Sequence, residues 1–272
     1  MNEADKNRKY LSLEERKKIS LQILNYVDQW CHDNKVSYYL GFGTLLGAVR
    51  HKGMIPWDDD VDIFMKRADY NCFIEKFNTT ATDKNYKCIS FEDGTFLLPY
   101  TKVVDLRTRL EDQCFSREGI LGMSIDIFPL DLAPAKKDIH ALSKKMLITK
   151  KLLRYSLFPD ISVCDGEANA FRKKVMYRFS KMVGYDRWAH RVKSILSKCN
   201  QDQGKYYLQA DTMMYLYDAS WYEETVQLPF ESKLFPAPKH YDEVLRAAYG
   251  DYMQLPPENQ RIAHAHPVYY VS

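Results

Sequence analysis

Two aspartates separated by a single valine limit what this chain can be. Within residues 38–66 (YYLGFGTLLGAVRHKGMIPWDDDVDIFMK), Asp60 and Asp62 alternate with Val61 and Ile63. A β-strand repeats every two residues, so the alternation puts both carboxylates on one face and both branched aliphatics on the other. One face belongs to a core, and the other concentrates negative charge. Like charges that close repel unless a cation lies between them, and oxygen ligands suit a hard divalent ion, so the pattern points to a Mg²⁺ site. Upstream, Tyr38-Tyr39-Leu40 runs into Gly41-Phe42-Gly43-Thr44, after which Leu45, Leu46, Ala48 and Val49 recur at helical spacing. This reads as a strand, a glycine turn and a helix whose first N–H groups can receive a phosphate.

Gly43-Thr44 at a helix start, followed by Asp-x-Asp on the next strand, resembles the nucleotidyltransferase (polymerase-β-like) superfamily. The longer string GTLLGAVRHKGMIPWDDDVDIFM is similar to the LicD family of phosphocholine and phospho-alditol transferases, which includes the fukutin-related ribitol-phosphate transferases. The similarity runs from about Tyr38 to the YGDYMQLPP segment that starts at Tyr249. Its specificity comes from the DDDVD block with its upstream glycines; a lone Asp-x-Asp would say little. The fukutin-related members carry a cysteine-bound zinc loop, whereas the cysteines here, at 31, 72, 88, 114, 164 and 199, form no close cluster. The resemblance implies an α+β fold with a nucleotidyltransferase core, its mixed sheet flanked by helices. It implies one domain over residues 1–272, with the catalytic core at 36–132 and a mainly helical region at 133–272 packed on it.

Composition narrows the function classes. In 272 residues, a hydrophobic content of 46% is ample for a buried core. A net charge of +3 is too mild to indicate nucleic acid, whose partners usually concentrate basic groups on one face. The scattered cysteines include no CxxC pair, which argues against a zinc knuckle or a disulfide scaffold and fits a reducing cytoplasm. The opening segment MNEADKNRKYLSLEERKK is charged throughout, and no run of about eighteen apolar residues occurs, so neither a signal peptide nor a membrane span is expected.

Along the chain, Ser12 and Glu15 form a capping box ahead of an amphipathic helix over residues 13–34. Arg50, His51 and Lys52 follow the glycine-rich helix, either as a solvated helix end or as phosphate contacts, with Arg50 favoured because its fork binds two oxygens. Pro56-Trp57 stiffens the approach to the acids. Strand parity puts Asp58 with Asp60 and Asp62 and turns Asp59 away to orient the loop. Residues 68–78 read as a short helix, and residues 86–91 and 96–106 as two strands joined at Glu92-Asp93-Gly94. Lys102 in the second strand either neutralises a leaving group or is a surface lysine. In Gly122-Met123-Ser124-Ile125-Asp126-Ile127-Phe128-Pro129, one carboxylate lies between isoleucines. The superfamily resemblance implies a third acid in such a setting beside the Asp-x-Asp strand, so Asp126 is its candidate, with a satisfied buried aspartate as the alternative. Asp131 is a weaker candidate. Helical patterns at 139–157 and 168–200 then dominate. Tyr215, Tyr217, Trp221 and Tyr222, and later Tyr241, Tyr249 and Tyr252, are either core or a cation–π cage for a quaternary ammonium, with Trp221 and Tyr222 the named cage candidates. Arg261, His264 and His266 are either ordinary surface or core groups or contacts to phosphate and acceptor.

An Asp-x-Asp site beside a phosphate-receiving helix supports phosphoryl transfer from an activated diphosphate. The expected catalytic residues are Asp60, Asp62 and Asp126, with Asp58 joining them around one or two Mg²⁺ ions, for which Mn²⁺ is an alternative. Gly43, Thr44, Arg50 and Lys102 are expected to bind the donor phosphates. The resemblance implies CDP-choline, or CDP-ribitol or CDP-glycerol, as donor, with CMP released. It implies as acceptor a glycan of teichoic acid, lipopolysaccharide or capsule, on a lipid carrier at the cytoplasmic membrane face. Nucleic acid is not an expected partner. The competing readings are a true nucleotidyltransferase that releases pyrophosphate and a non-enzymatic nucleotide- or glycan-binding module; the set of acids speaks against the latter.

Overall fold

The computed structural model of the protein describes residues 8–111, 115–134, 138–164, 169–200, 204–209, 216–261 and 267–271. Its elements are α1 (Leu13–Asn34), β1 (Tyr39–Leu40), α2 (Phe42–Arg50), β2 (Asp62–Lys66), α3 (Arg67–Thr80), β3 (Tyr86–Ser90), β4 (Thr101–Asp105), β5 (Thr108–Leu110), β6 (Ser124–Leu132), α4 (Ile139–Leu157), α5 (Ala170–Val183), α6 (Tyr185–Leu196), β7 (Tyr206–Gln209), β8 (Leu216–Asp218), β9 (Thr225–Phe230), β10 (Lys233–Pro238), α7 (Tyr241–Tyr249) and β11 (Val268–Tyr270). The capping box at Ser12 is present, with Ser12 Oγ accepting from Glu15 N–H and Glu15 reaching back to Ser12 N–H.

The main sheet runs β1-β2-β6-β4-β3, with β7 also on β6 and β8 on β7. Its centre is β6, which pairs in parallel with β2 and antiparallel with β4 and β7. Pro129 lies inside this central strand, a position usually closed to proline because it removes a ladder donor. Asp126 N–H points at Val61 O on the β2 side, so by alternation residue 129 faces the other way. On that side β4 ends opposite Ile127 and β7 begins opposite Leu130. Pro129 occupies the gap between them, where no donor is called for.

One face of the sheet, with Ile63, Met65, Val103, Ile125 and Ile127, is fully buried. Both α1 and α3 pack on β6, and Trp30 of α1 meets Phe73 and Phe77 of α3 at ring centroid distances of 5.0 and 5.4 Å. Asp131 extends this side. Arg67 donates to it through Nε (2.7 Å) and Nη2 (2.6 Å), and Asn200 Nδ2 adds a third bond at 2.7 Å. A carboxylate so fully committed is a structural clamp between β6 and α3.

The structure departs from the sequence expectations in three places. The strand expected from residue 96 begins only at Thr101, because residues 91–100 fold back and Phe96 bridges to Ser116. The long helix expected at 168–200 is two helices, broken at Gly184, whose φ of +85° suits glycine and few others. The region expected to be mainly helical also holds β7 to β11. Of these, β7 and β8 extend the main sheet, β9 and β10 form a separate ribbon, and β11 pairs with β5. They are short, and the β9–β10 ribbon contains Pro229, Pro236 and Pro238, which a two-stranded ribbon tolerates on its open edges. Among the described residues one large hydrophobic cluster runs from Leu11 to Val268, and a small second one joins Tyr155 and Tyr177.

Breaking a buried ion pair by removing one partner leaves an uncompensated charge, at a cost of about 3–5 kcal/mol. Arg67→Ala is expected to lower unfolding free energy by that order in urea titration, and Arg67→Lys to restore only part of it, since an ammonium cannot make the two-pronged contact.

Candidate active site

Parallel register between β2 and β6 sets Asp62 opposite Asp126, and antiparallel register between β6 and β4 sets Asp126 opposite Lys102. The three side chains form one row across three strands, on the face opposite the isoleucines. Lys102 Nζ contacts Asp126 Oδ1 and lies 3.5 Å from Ser124 Oγ. The lysine expected to meet a leaving group is thus held beside the third acid. Its ammonium also sits over the Phe96 and Tyr100 rings, at 5.7 and 5.4 Å from the centroids.

Two contacts from α2 and its cap aim Asp62. Gly41 N–H donates to Asp62 O (2.9 Å), and Asp62 N–H donates to Thr44 Oγ1 (2.8 Å). Thr44, expected to bind phosphate, is buried, and its oxygen holds the first residue of β2. At Gly43 a Cβ would lie 2.9 Å from Asp58 Oδ2, so a side chain there would displace the Asp58 carboxylate. Between them Phe42 adopts φ +36°, a strained conformation for a side-chain-bearing residue, held by edge contacts with Phe64 (4.7 Å) and Phe128 (5.2 Å).

The loop before Asp60 is fastened by α1, which sequence reasoning missed. Arg16 Nη1 donates to Asp59 Oδ2 (2.7 Å), Ser20 Oγ to Asp59 O (3.2 Å), and Lys17 Nζ to Ile55 O (2.9 Å) and Pro56 O (2.7 Å). Asp59 is thereby held by α1 through both its carboxylate and its carbonyl, and it lines a cavity together with Asp60 instead of turning to the other side as strand parity implies. The available signal was Arg16 itself, which falls on the buried stripe of α1 with Ser20, Ile23 and Val27, where a charge requires a partner.

A cavity of about 410 Å³ adjoins the row, lined among others by Asp60, Lys102, Arg16, Arg154, Phe96 and Tyr100. Burial pushes the Asp62 carboxyl well above the usual range, and Asp60, Asp126 and Asp58 push it further, with Lys102 opposing. The acids are thus mutually coupled, yet among the described residues no three His, Cys, Asp or Glu side chains stand close enough, as placed, to hold a metal ion. The expected convergence of Asp58, Asp60, Asp62 and Asp126 on one point is replaced by a spread arrangement with Lys102 against Asp126. The donor set itself fits a hard divalent cation: carboxylate oxygens crowded enough to perturb one another.

Other expected residues lie elsewhere. Arg50 is turned from the acids; its Nη1 donates to Tyr252 O (2.7 Å), and it lines a second cavity of about 620 Å³ with Trp57 and Arg261. Arg261 donates from Nε to Pro256 O (2.8 Å) and stacks over Trp57 at 5.4 Å. Tyr222 corrects the cage expectation: it is fully buried against Tyr39, Tyr207 and Tyr217, with no face left for a quaternary ammonium. Trp221 is half-buried on the same core. His264, His266 and Tyr215 lie outside the described residues.

Residues 35–131, which contain the whole row and the α2 turn, match the family described as LicD/FKTN/FKRP, nucleotidyltransferase domain. The lipopolysaccharide cholinephosphotransferase LicD of Haemophilus influenzae is 33% identical over 275 residues, covering 94% of this chain and 97% of that one. The chain belongs to the LicD family. Two uncharacterized proteins, from Rickettsia typhi and Rickettsia prowazekii, are 40% and 39% identical over 67 residues, which is 24% of this chain and 22% and 25% of theirs. Membership of the LicD family makes the protein a phosphotransferase.

A carboxyl with a raised pKa in the fold binds its proton more tightly folded than unfolded. Its contribution to stability is present at acid pH and lost as pH rises through the raised value. With EDTA present, Asp62→Asn is therefore expected to melt above the wild type at neutral and alkaline pH, the advantage disappearing as pH falls towards the ordinary carboxylate range. Melting temperatures measured across pH check this; an unchanged or lower value at alkaline pH would show that the crowding is relieved some other way.

Proposed function

We propose that this LicD-family protein transfers phosphocholine from CDP-choline to a hydroxyl of a cell-surface glycan precursor, releasing CMP. The observation that carries the reading is the cross-strand row Asp62, Asp126 and Lys102 beside a cavity, in a chain related over nearly its full length to a lipopolysaccharide cholinephosphotransferase. The acceptor class is a lipopolysaccharide, teichoic acid or capsule precursor, presented at the cytoplasmic face of the membrane.

Asp60, Asp62 and Asp126, with Asp58, are the residues that would hold Mg²⁺, or Mn²⁺ in its place. Such an ion supplies neutralisation of the donor diphosphate and of charge developing on the departing CMP. The chain's own groups do the rest. Thr44 and Gly41 fix the direction of Asp62, so that the acid meets its target without reorganisation. The N-terminal N–H groups of α2 offer donors to a phosphate, and Gly43 keeps the backbone there free of side chain. Lys102, held against Asp126, would add a positive charge on the wall of the cavity.

Incubation with CDP-choline, CDP-ribitol and CDP-glycerol in Mg²⁺, with a glycan acceptor, is expected to release CMP from CDP-choline. Release of pyrophosphate from CTP instead would overturn the reading in favour of nucleotidyl transfer. Asp60→Asn and Asp62→Asn are each expected to lower turnover by at least ~10²-fold with the fold retained, because each removes charge stabilisation worth several kcal/mol. Thermal shift offers an independent check: Mg²⁺ with CDP-choline should raise the melting temperature more than either alone. A donor-induced shift equally large in EDTA would sink the cation-bridged reading.

A further inference from the structure

Helix α5 carries two apolar faces, and the second is used only at one edge, where Phe179 meets the Trp188 ring at 5.9 Å. Tyr177 and Ser180 are buried and tie the helix inward: Tyr177 OH donates to Phe158 O (3.1 Å), Ser180 Oγ to Leu152 O, and Trp188 Nε1 to Ser180 O (3.2 Å). On the other side Phe171 is 83% exposed, Met182 76%, Val175 51% and Phe179 45%. At ~100° per residue, these four fall within an arc of about 80°. A helix that has met its packing needs with one face has no folding reason to place a second apolar stripe in water, where it costs solubility.

The charges around that stripe say what covers it. The sequence of α5, AFRKKVMYRFSKMV, has five cations and no acid in a chain whose net charge is only +3. Arg172 borders the stripe on one flank and Lys174 and Arg178 on the other by helical position. Beside it, between α4 and α5, is a notch of about 240 Å³ lined by Leu147, Ile148 and Met176 together with Lys151, Arg172 and Lys173. Apolar walls with three cations match an acyl chain and its phosphate head. An apolar stripe rimmed by lysine and arginine is the composition of a helix that lies in the plane of a membrane interface. A second copy of the chain is a poor occupant, because a two-fold contact would set each cationic flank against its own duplicate.

We propose that the outer face of α5, with the α4–α5 notch, docks the protein on a bilayer containing anionic phospholipid. No helix of the described residues is long and apolar enough to cross a membrane, so the contact is made in the interface plane. The inference stands on exposure and charge and does not depend on the proposed donor. It nevertheless joins that reading through α4: Lys151 lines the notch, and Arg154, one turn further, lines the cavity that contains Asp60. A lipid-borne acceptor held at α5 would thus sit on a helix pair whose α4 member also lines the cavity of Asp60.

The test is flotation of the full chain with vesicles of phosphatidylcholine alone or mixed with phosphatidylglycerol, at low and high salt. The wild type is expected to float with the mixed vesicles, to stay behind with phosphatidylcholine, and to be released by salt. Phe171→Ser with Met182→Ser is expected to weaken binding at least about tenfold, through loss of buried apolar surface. Its melting temperature and its CMP release with a water-soluble acceptor should remain as in the wild type. Arg172→Glu with Arg178→Glu, which alters only exposed charge, should do the same. Absence of flotation by the wild type, or flotation unaffected by both double variants, overturns the proposal. So does a lipid-free dimer in analytical ultracentrifugation that Phe171→Ser with Met182→Ser dissociates, since the face would then be a subunit contact. Failure of CMP release with intact flotation would count against the donor reading alone.

Discussion

Parallel pairing between β2 and β6 is the constraint on which the site rests. It brings an acid that ends the Asp-x-Asp block into line with an acid more than sixty residues away, and the antiparallel partner β4 adds a lysine to the same row. Neighbouring strands stand about 4.8 Å apart, so the row holds two negative charges and one positive at contact range by backbone geometry alone. Side-chain flexibility then has little to search. The isoleucines on the reverse face make the arrangement rigid, because the sheet cannot twist the acids inward without pulling Ile63, Ile125 and Ile127 out of the core.

Two helices bracket the row from different directions and do different work. From α2 come backbone and hydroxyl contacts that aim Asp62, at the cost of strain at Phe42. From α1 come Arg16, Lys17 and Ser20, which hold the 55–59 loop by its carbonyls and by Asp59. The four acids of DDDVD are therefore not equivalent: Asp59 is paired with Arg16 of the scaffold, Asp58 lies close to Gly43, Asp60 lines the cavity, and Asp62 stands in the cross-strand row. Phosphotransfer needs charge placed in advance of the reaction, and this division of labour provides it.

Features carried by local repetition were legible in the sequence. The Ser12 capping box and the isoleucine-flanked Asp126 declare themselves within a few residues, and the structure places both where their patterns indicate, whereas the strand read from Asp60 begins only at Asp62 and leaves Asp60 on the loop before it. Features that depend on a distant partner were not. That Lys102 faces Asp126 follows from strand register, and that Thr44 is spent on Asp62 follows from how α2 packs on β2. Tyr222 shows the limit most plainly, since an aromatic cluster reads the same whether its rings face a ligand or one another. The short strands β7 to β11 escaped because three to six residues with prolines among them carry no usable period.

The position of Pro129 bears on how faithfully this sheet assembles. If β6 docked turned over by one residue, Asp126 would enter the core and an isoleucine would enter the site, leaving a folded but inert protein. In that arrangement the imino nitrogen of Pro129 would face β2, along the stretch where Met65 and Lys66 need partners, and a ladder bond would be lost. In the native arrangement the same nitrogen faces the break between β4 and β7, where nothing is lost. The proline thus taxes the wrong assembly and spares the right one, acting as a proofreader of strand pairing three residues from the acid whose orientation it protects.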